Sequence, residues 1–153
     1  MARTLCVGCV FLVVLAVGCS RHTGSASAPR ACTDGTPAAR VTALRAALAH
    51  APAPVRLPDG TSIADCLSQD ADSGDLQNVG SMLLTVTQQL ADSGAHDPRT
   101  LLQLGYLEGA VRRGAAHAQV DDEIERRIDQ ELGAVDTGSP AFKRGERAGR
   151  ASG

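Results

Sequence analysis

Five cysteines, four histidines and one short acidic run are the residues of this 153-residue chain whose chemistry could reach beyond packing. A metal centre finds little support among them. His22, His50, His96 and His117 are scattered, with no H-x-x-H or H-E-x-x-H spacing to set two imidazoles on one helical face. The run Asp70-Ala-Asp72-Ser-Gly74-Asp75 offers carboxylates at alternate positions, as a calcium loop does. Such a loop also needs Gly at its sixth position and a bidentate Glu at its twelfth, and Asp75 and Ser81 stand there instead. The run therefore reads as a turn leading into a helix, with Asp75 at the positive helix start. No G-x-S-x-G and no Gly-rich phosphate loop after a strand is present, and S-x-x-K is impossible with Lys143 as the sole lysine. There is no glutamate pair in a setting that suggests glycan hydrolysis, and no aromatic platform for sugars. The expectation is a protein that is not an enzyme and uses no metal or other cofactor, although a triad built from distant residues would leave no local motif.

A second kind of signal is steric. Gly105 and Gly109 fall four residues apart inside a segment with helical periodicity, beside Leu104 and Tyr106. Glycine inside a helix costs about 0.8–1.0 kcal/mol relative to alanine, so two of them call for a reason. The i,i+4 spacing makes a smooth stripe where another helix can approach closely. That helix can belong to the same domain, or Leu104, Gly105, Tyr106 and Gly109 can form a seam for a partner helix or an apolar ligand. Tyr106 is expected to bury its ring and leave its hydroxyl at the rim.

Composition bounds the class. Hydrophobic residues make up 43% and charged residues 21%, which is ordinary for a globular chain, but aromatics are only 2%. The core must be aliphatic. A formal charge of −2 gives no sign of nucleic-acid binding.

The N-terminus carries the clearest message. Met1-Ala-Arg-Thr is a short positive segment, and Leu5 to Val17 is an apolar run of about 13 residues, in the range of a signal peptide. A spanning helix needs about 20. The run ends in Leu15-Ala16-Val17-Gly18-Cys19, which resembles the lipobox of bacterial lipoproteins, with Ala16 where that class usually has Leu. The resemblance covers only these first residues. It implies that Cys19 receives diacylglyceride, that cleavage before it leaves Cys19 as the acylated, palmitate-bearing N-terminus, and that the protein sits on the extracytoplasmic face of the cell membrane. Cleavage after Ala26-Ser27-Ala28, ordinary cleavage after Gly18 and an uncleaved anchor are the competing readings; Pro29 after the first site and the shortness of the apolar run weigh against two of them.

Lipidation would also settle the cysteine count. Cys6 and Cys9 leave with the signal, Cys19 is acylated, and Cys32 and Cys66 remain to form a disulfide in an oxidising compartment. Their spacing is too wide for the C-x-x-C of redox-active pairs. On the chain-entropy model a loop of roughly 35 residues contributes about 4 kcal/mol.

The elements that position these residues are helical. Residues 1–18 read as signal, 19–31 as a flexible lipidated tether, 32–135 as the folded domain and 136–153 as a disordered tail of Gly, Ser, Ala and Arg. Thr36-Pro37 starts a helix to about His50, with Val41, Leu44 and Leu48 on its buried stripe. The stretch 55–63 reads as a minor hairpin or ordered loop around Asp59-Gly60, with Ser62 and Asp65 spaced as a capping box. Further helices are expected over about Asp75–Asp92, from Asp97-Pro98 to Arg113 with Gly114 just past its end, and over Gln119–Leu132. The architecture expected is all-α, a small bundle of about four amphipathic helices. The functional expectation is a lipid-anchored envelope protein that is a structural or interaction module with an envelope protein partner. The alternative is a binding module for a small apolar or lipidic ligand, and the third reading is an enzyme whose site the sequence does not identify.

Overall fold

The computed structural model describes residues 27–67, 71–118 and 123–153, and the signal segment with Cys19 lies outside them. Within these residues the protein is all-α. Its elements are α1 (Arg30–Thr33), α2 (Pro37–Leu48), a 3₁₀ turn (Ala64–Leu67), α3 (Ser73–Gly94), α4 (Pro98–Ala118), α5 (Glu123–Glu131), a second 3₁₀ turn (Leu132–Ala134) and α6 (Pro140–Ser152). The small hairpin considered for 55–63 is an ordered loop: Gly60 N–H donates to Leu57 O at 2.8 Å, and Leu57 N–H to Thr61 O at 2.9 Å. Gly60 takes φ +91°, a left-handed conformation that only glycine enters without strain.

The helix starts follow one local code. Thr36 Oγ1 accepts from Ala39 N–H before Pro37, Asp97 Oδ2 from Thr100 N–H before Pro98, and Ser139 Oγ from Phe142 N–H before Pro140. Each cap satisfies one amide that the first turn would leave unpaired, and proline at the next position loses no helical hydrogen bond. Asp72 caps α3 without a proline, its Oδ1 accepting from Asp75 N–H at 2.8 Å. That helix consequently begins at Ser73, two residues before Asp75. Ser62 and Asp65 form the reciprocal capping box of the first 3₁₀ turn, at 3.0 and 3.2 Å.

The core is aliphatic. Leu44 and Leu48 of α2, Val79, Leu83 and Val86 of α3 and Leu107 of α4 are all completely buried. Cys32 in α1 and Cys66 in the first 3₁₀ turn form a disulfide with Cα atoms 5.7 Å apart, joining two segments separated by 34 residues. The folded domain starts earlier than residue 32. Ala28 is 3% exposed and its N–H donates to Asp75 Oδ2 at 2.9 Å, so the last residues assigned to the tether are part of the packed body.

The larger correction concerns residues 136–153. Expected as a disordered tail, they contain α6, which packs along the full usable face of α4. The physical reason is that glycine carries this interface. A side chain at Gly145 would place its Cβ 2.8 Å from Tyr106 N, and one at Gly149 would place it 2.8 Å from Ala110 N. In the other direction, a Cβ at Gly105 would lie 2.9 Å from the Phe142 carbonyl carbon, and at Gly109 2.9 Å from that of Glu146. Each would come closer still to the carbonyl oxygen. Residue 105 faces 142–146 and residue 109 faces 146–150, so α4 and α6 run parallel, with α5 and its 3₁₀ turn forming the return connection. Phe142, 1% exposed, adds the one aromatic side chain that α6 contributes to the core.

Gly114 is also placed differently from the expectation of a helix stop. α4 continues to Ala118, and Gly114 lies inside it against the first 3₁₀ turn, where a Cβ would meet Ala64 O at 2.9 Å.

A sharp test follows from the seam. Alanine normally stabilises a helix over glycine by about 0.8–1.0 kcal/mol. Gly109→Ala should do the opposite, because overpacking of this kind costs about 1–3 kcal/mol. The melting temperature followed by circular dichroism should fall by roughly 5 °C or more. Gly133→Ala, at a position with open space around it, should melt at or slightly above wild type. A Gly109→Ala protein as stable as wild type would refute the close seam.

Candidate functional site

Of the residues singled out in the sequence, Gly105, Tyr106 and Gly109 do come together against α6, but that seam is already filled, and Leu104 lies about 160° round the helix from Tyr106. All four are buried, and α6 of the same chain occupies the seam. No opening for a partner helix or a lipid remains there. Tyr106 is completely buried, hydroxyl included, rather than leaving its hydroxyl at the rim. Its oxygen accepts from Val55 N–H at 2.9 Å and lies 3.1 Å from Ser152 Oγ, which in turn donates to Ala148 O at 2.9 Å. With the serine proton spent on Ala148, the tyrosine proton goes to Ser152, and every member of the chain is satisfied. Tyr106 is thus a structural pin joining the loop after α2 to α4 and α6.

Cys32 and Cys66 are consumed by their disulfide. His50 and His96 are exposed on helix-end turns, while His22 and Asp70 lie outside the described residues. Among the described residues no cluster of three or more His, Cys, Asp or Glu side chains could hold a metal ion.

The chemistry lies elsewhere, around Arg112. It stands one turn after Glu108 on α4, on the side that faces α5 and α6. Its guanidinium meets Glu108 Oε1 at 2.5 Å, Glu125 Oε1 at 2.9 Å, Asp129 Oδ1 at 3.4 Å and Glu146 Oε1 at 3.4 Å. One cation therefore serves carboxylates from α4, α5 and α6. Arg150 pairs with Glu146 at 3.0 Å from the outer side. The planar fork of arginine suits such multiple pairing better than a lysine would.

Glu108 is the unusual member. It is only 6% exposed, and its Oε2 is buried without a hydrogen-bond partner. Burial pushes its carboxyl up to about 7, with Glu146 and Asp129 adding to the rise and Arg112 opposing it. Burial works against the charge of Arg112, yet Glu108, Asp129, Glu125 and Glu146 outweigh it and hold the guanidinium above its ordinary value. Beside these charges opens a groove of about 450 Å³, lined by the charged side chains of Glu108, Arg112, Asp129 and Glu146 together with Leu132, Val135, Thr137 and Phe142.

Sequence reasoning missed this cluster. Glu108 and Arg112 are spaced i,i+4, as are Glu125 and Asp129, but on their own these look like wet-side helix pairs. Glu123 is such a pair centre, meeting Arg126 and Arg127 at 2.6 Å each on the exposed face of α5. What distinguishes Glu108 is that α6 covers it, and α6 was read as disordered.

Open grooves lie elsewhere among the described residues. One of about 570 Å³ runs between α3 and α5, past Leu76, Gly80, Leu84 and Ile124. Another of about 510 Å³ lies between α2 and α3 beside Val41 and Thr85. A third, of about 370 Å³, lies beside Arg30 and Arg40. Among the described residues no helix is long and apolar enough to cross a membrane. No protein-family model, curated protein or solved structure matches this chain.

The position of Glu108 makes a pH prediction. Its native value of about 7 lies above the ordinary 4.5. A raised carboxyl gives stability that is full below about 4.5 and lost as pH rises through about 7. Glu108→Gln removes that loss. The difference in melting temperature between variant and wild type should therefore shift in favour of the variant as pH rises from 4.5 to 8. A difference that stays constant over this range would show that Glu108 does not titrate abnormally.

Proposed function

We propose that this chain is an exported lipoprotein, held by an acyl group on Cys19 to the extracytoplasmic face of the cell membrane, and that its helical domain is a non-enzymatic interaction or structural module of the envelope. The observation that carries the reading is the sequence Leu15-Ala16-Val17-Gly18-Cys19 at the end of an apolar run too short to span a bilayer. The disulfide supports it. Structural disulfides belong to oxidising compartments, and with Cys32 and Cys66 joined, Cys19 is the one thiol of the mature chain left for modification.

The domain suits a tethered role. Ala28 is fastened to Asp75, so a link of nine residues from Ser20 to Ala28 would separate the anchor from the packed body. If flexible, such a link spans roughly 15–18 Å on average, enough to keep the domain near the headgroups without embedding it. A partner would have to use an open surface such as the α3–α5 groove, because the Gly105–Gly109 seam is closed by α6. The same closure leaves no room there for the apolar or lipidic ligand of the alternative reading.

Mass spectrometry of the mature protein tests the placement. The expected mass begins at Cys19, carries a diacylglycerol and is two hydrogens lighter than the dithiol. Cys19→Ala should lose the lipid and leave the membrane fraction. Sedimentation with membranes that survives Cys19→Ala, or a mature chain without added lipid, would sink the proposal.

A further inference from the structure

α6 carries four cations, Lys143, Arg144, Arg147 and Arg150, against the single acid Glu146, within a chain whose formal charge is −2. At about 100° per residue the four fall within an arc of about 120°, opposite the arc of Phe142, Gly145 and Gly149 that presses on α4. All four are exposed. Arg150 pairs with Glu146, whereas none of the ion pairs among the described residues takes Lys143, Arg144 or Arg147. The outer face also lacks any large apolar side chain that could enter hydrocarbon. Charge alone would make this a solvated face. Its place in the fold adds a second argument.

The N-terminal link leaves the packed body at the same end of the bundle as the last turn of α6. Ala28 shortly precedes Cys32, whose disulfide holds Cys66. Leu67, the next residue, packs on Gly114 of α4, where an added Cβ would lie 3.0 Å from its own. Arg113 beside it donates to Ala151 O of α6 at 2.6 Å. A domain held at that end by a flexible link of roughly 15–18 Å has only to tilt to lay α6 on the surface beneath it.

We propose that the outer face of α6 lies on anionic phospholipid headgroups, with Lys143, Arg144, Arg147 and Arg150 against the phosphates, and so orients the domain on its membrane. The inference rests on the lipid anchor proposed above, which supplies proximity but no orientation. Each basic residue near an anionic surface raises partitioning about fivefold. The attraction reaches only about 8 Å at physiological salt, so the helix must come close to feel it. A short tether meets that need by holding the patch at an effective concentration of order millimolar. Three of the four cations are arginines, whose fork takes two phosphate oxygens at once. An acidic protein is the other chemistry this face would accept. The anchor favours the lipid, because headgroups are within reach at all times.

The test places the mature lipoprotein on lipid nanodiscs that contain a trace of gadolinium-chelating lipid, and follows amide signals by NMR. On phosphatidylcholine discs with about 30% phosphatidylglycerol, broadening should concentrate on the α6 amides from Lys143 to Ala151. On phosphatidylcholine alone, or at about 0.5 M salt, that selectivity should vanish while the protein stays on the disc. Arg144→Glu with Arg147→Glu should abolish the selectivity with the melting temperature unchanged, and Arg45→Glu on α2 should leave it intact. Broadening that is equal on neutral and anionic discs, centres on another helix or survives the double reversal would overturn the proposal. So would soluble polyglutamate that shifts the α6 signals while anionic discs do not, which would make the partner an acidic protein. A mature chain whose mass shows no lipid fails the anchor, and pelleting then decides the patch. Anionic vesicles should still bring that chain down at about 0.05 M salt and neutral ones should not; no pelleting overturns it.

Discussion

Along α4 and α6 two backbones touch with no side chain between them at Gly105, Gly109, Gly145 and Gly149. Glycine is a poor helix former because it gives up more backbone freedom than any other residue. Four such residues in two helices are tolerable only where the close approach returns the loss through dispersion and weak Cα–H···O contacts. The contact is reciprocal, each helix pressing its glycines onto the other's carbonyls, so the register is fixed: one turn of slippage along α4 would set Leu101 or Arg113 against backbone. The rest of the fold depends on that register. It buries Phe142, brings Ser152 to the Tyr106 hydroxyl and sets Glu146 beside Arg112.

The charge cluster is a consequence of the same approach. A glutamate on the face of α4 would be solvated if α4 ended the domain, and its pairing with Arg112 would be an ordinary surface pair worth a few tenths of a kcal/mol. With α6 held close and α5 crossing behind as the return connection, Glu108 is covered while its neighbours stay half-exposed. Burial then raises its carboxyl, and Arg112 is shared among four acids while Arg150 reaches one of them, Glu146. The seam and the site are linked through geometry. A helix interface made of glycine supplies no polar groups of its own, so the charges collect at its edge.

Much of the architecture was legible from local rules. Thr36-Pro37 and Asp97-Pro98 mark two helix starts, the Leu and Val spacings of α2 and α3 mark buried stripes, and Ser62 with Asp65 marks a cap. The Cys32–Cys66 pair followed from thiol parity. What escaped was α6, for a physical reason. Its buried positions are Phe142, Gly145, Gly149 and Gly153, and glycine adds nothing to an apolar pattern even when it is fully buried. Two signals were nevertheless present. Ser139-Pro140 repeats the start seen at Thr36-Pro37, and the four-residue spacing of Gly145, Gly149 and Gly153 answers that of Gly105 and Gly109. Because the partner helix is hidden in the pattern, the sequence leaves open whether Gly105 and Gly109 meet a helix of the same domain or a partner, and the structure shows the former; Glu108 looks like a surface residue. The N-terminal reading rests on other grounds, since residues 1–26 lie outside the described structure.

Hydrogen exchange of the native protein addresses the seam directly, because an amide in a docked helix exchanges only when its unit opens, whereas one in a free tail exchanges at the rate of an unstructured peptide. If α6 is built onto α4 through its glycines, amides from Gly145 to Gly149 will be protected to the same degree as those from Gly105 to Gly109 and will lose protection together with them as denaturant is added. Rapid exchange across 140–152 while α4 stays protected would contradict the account.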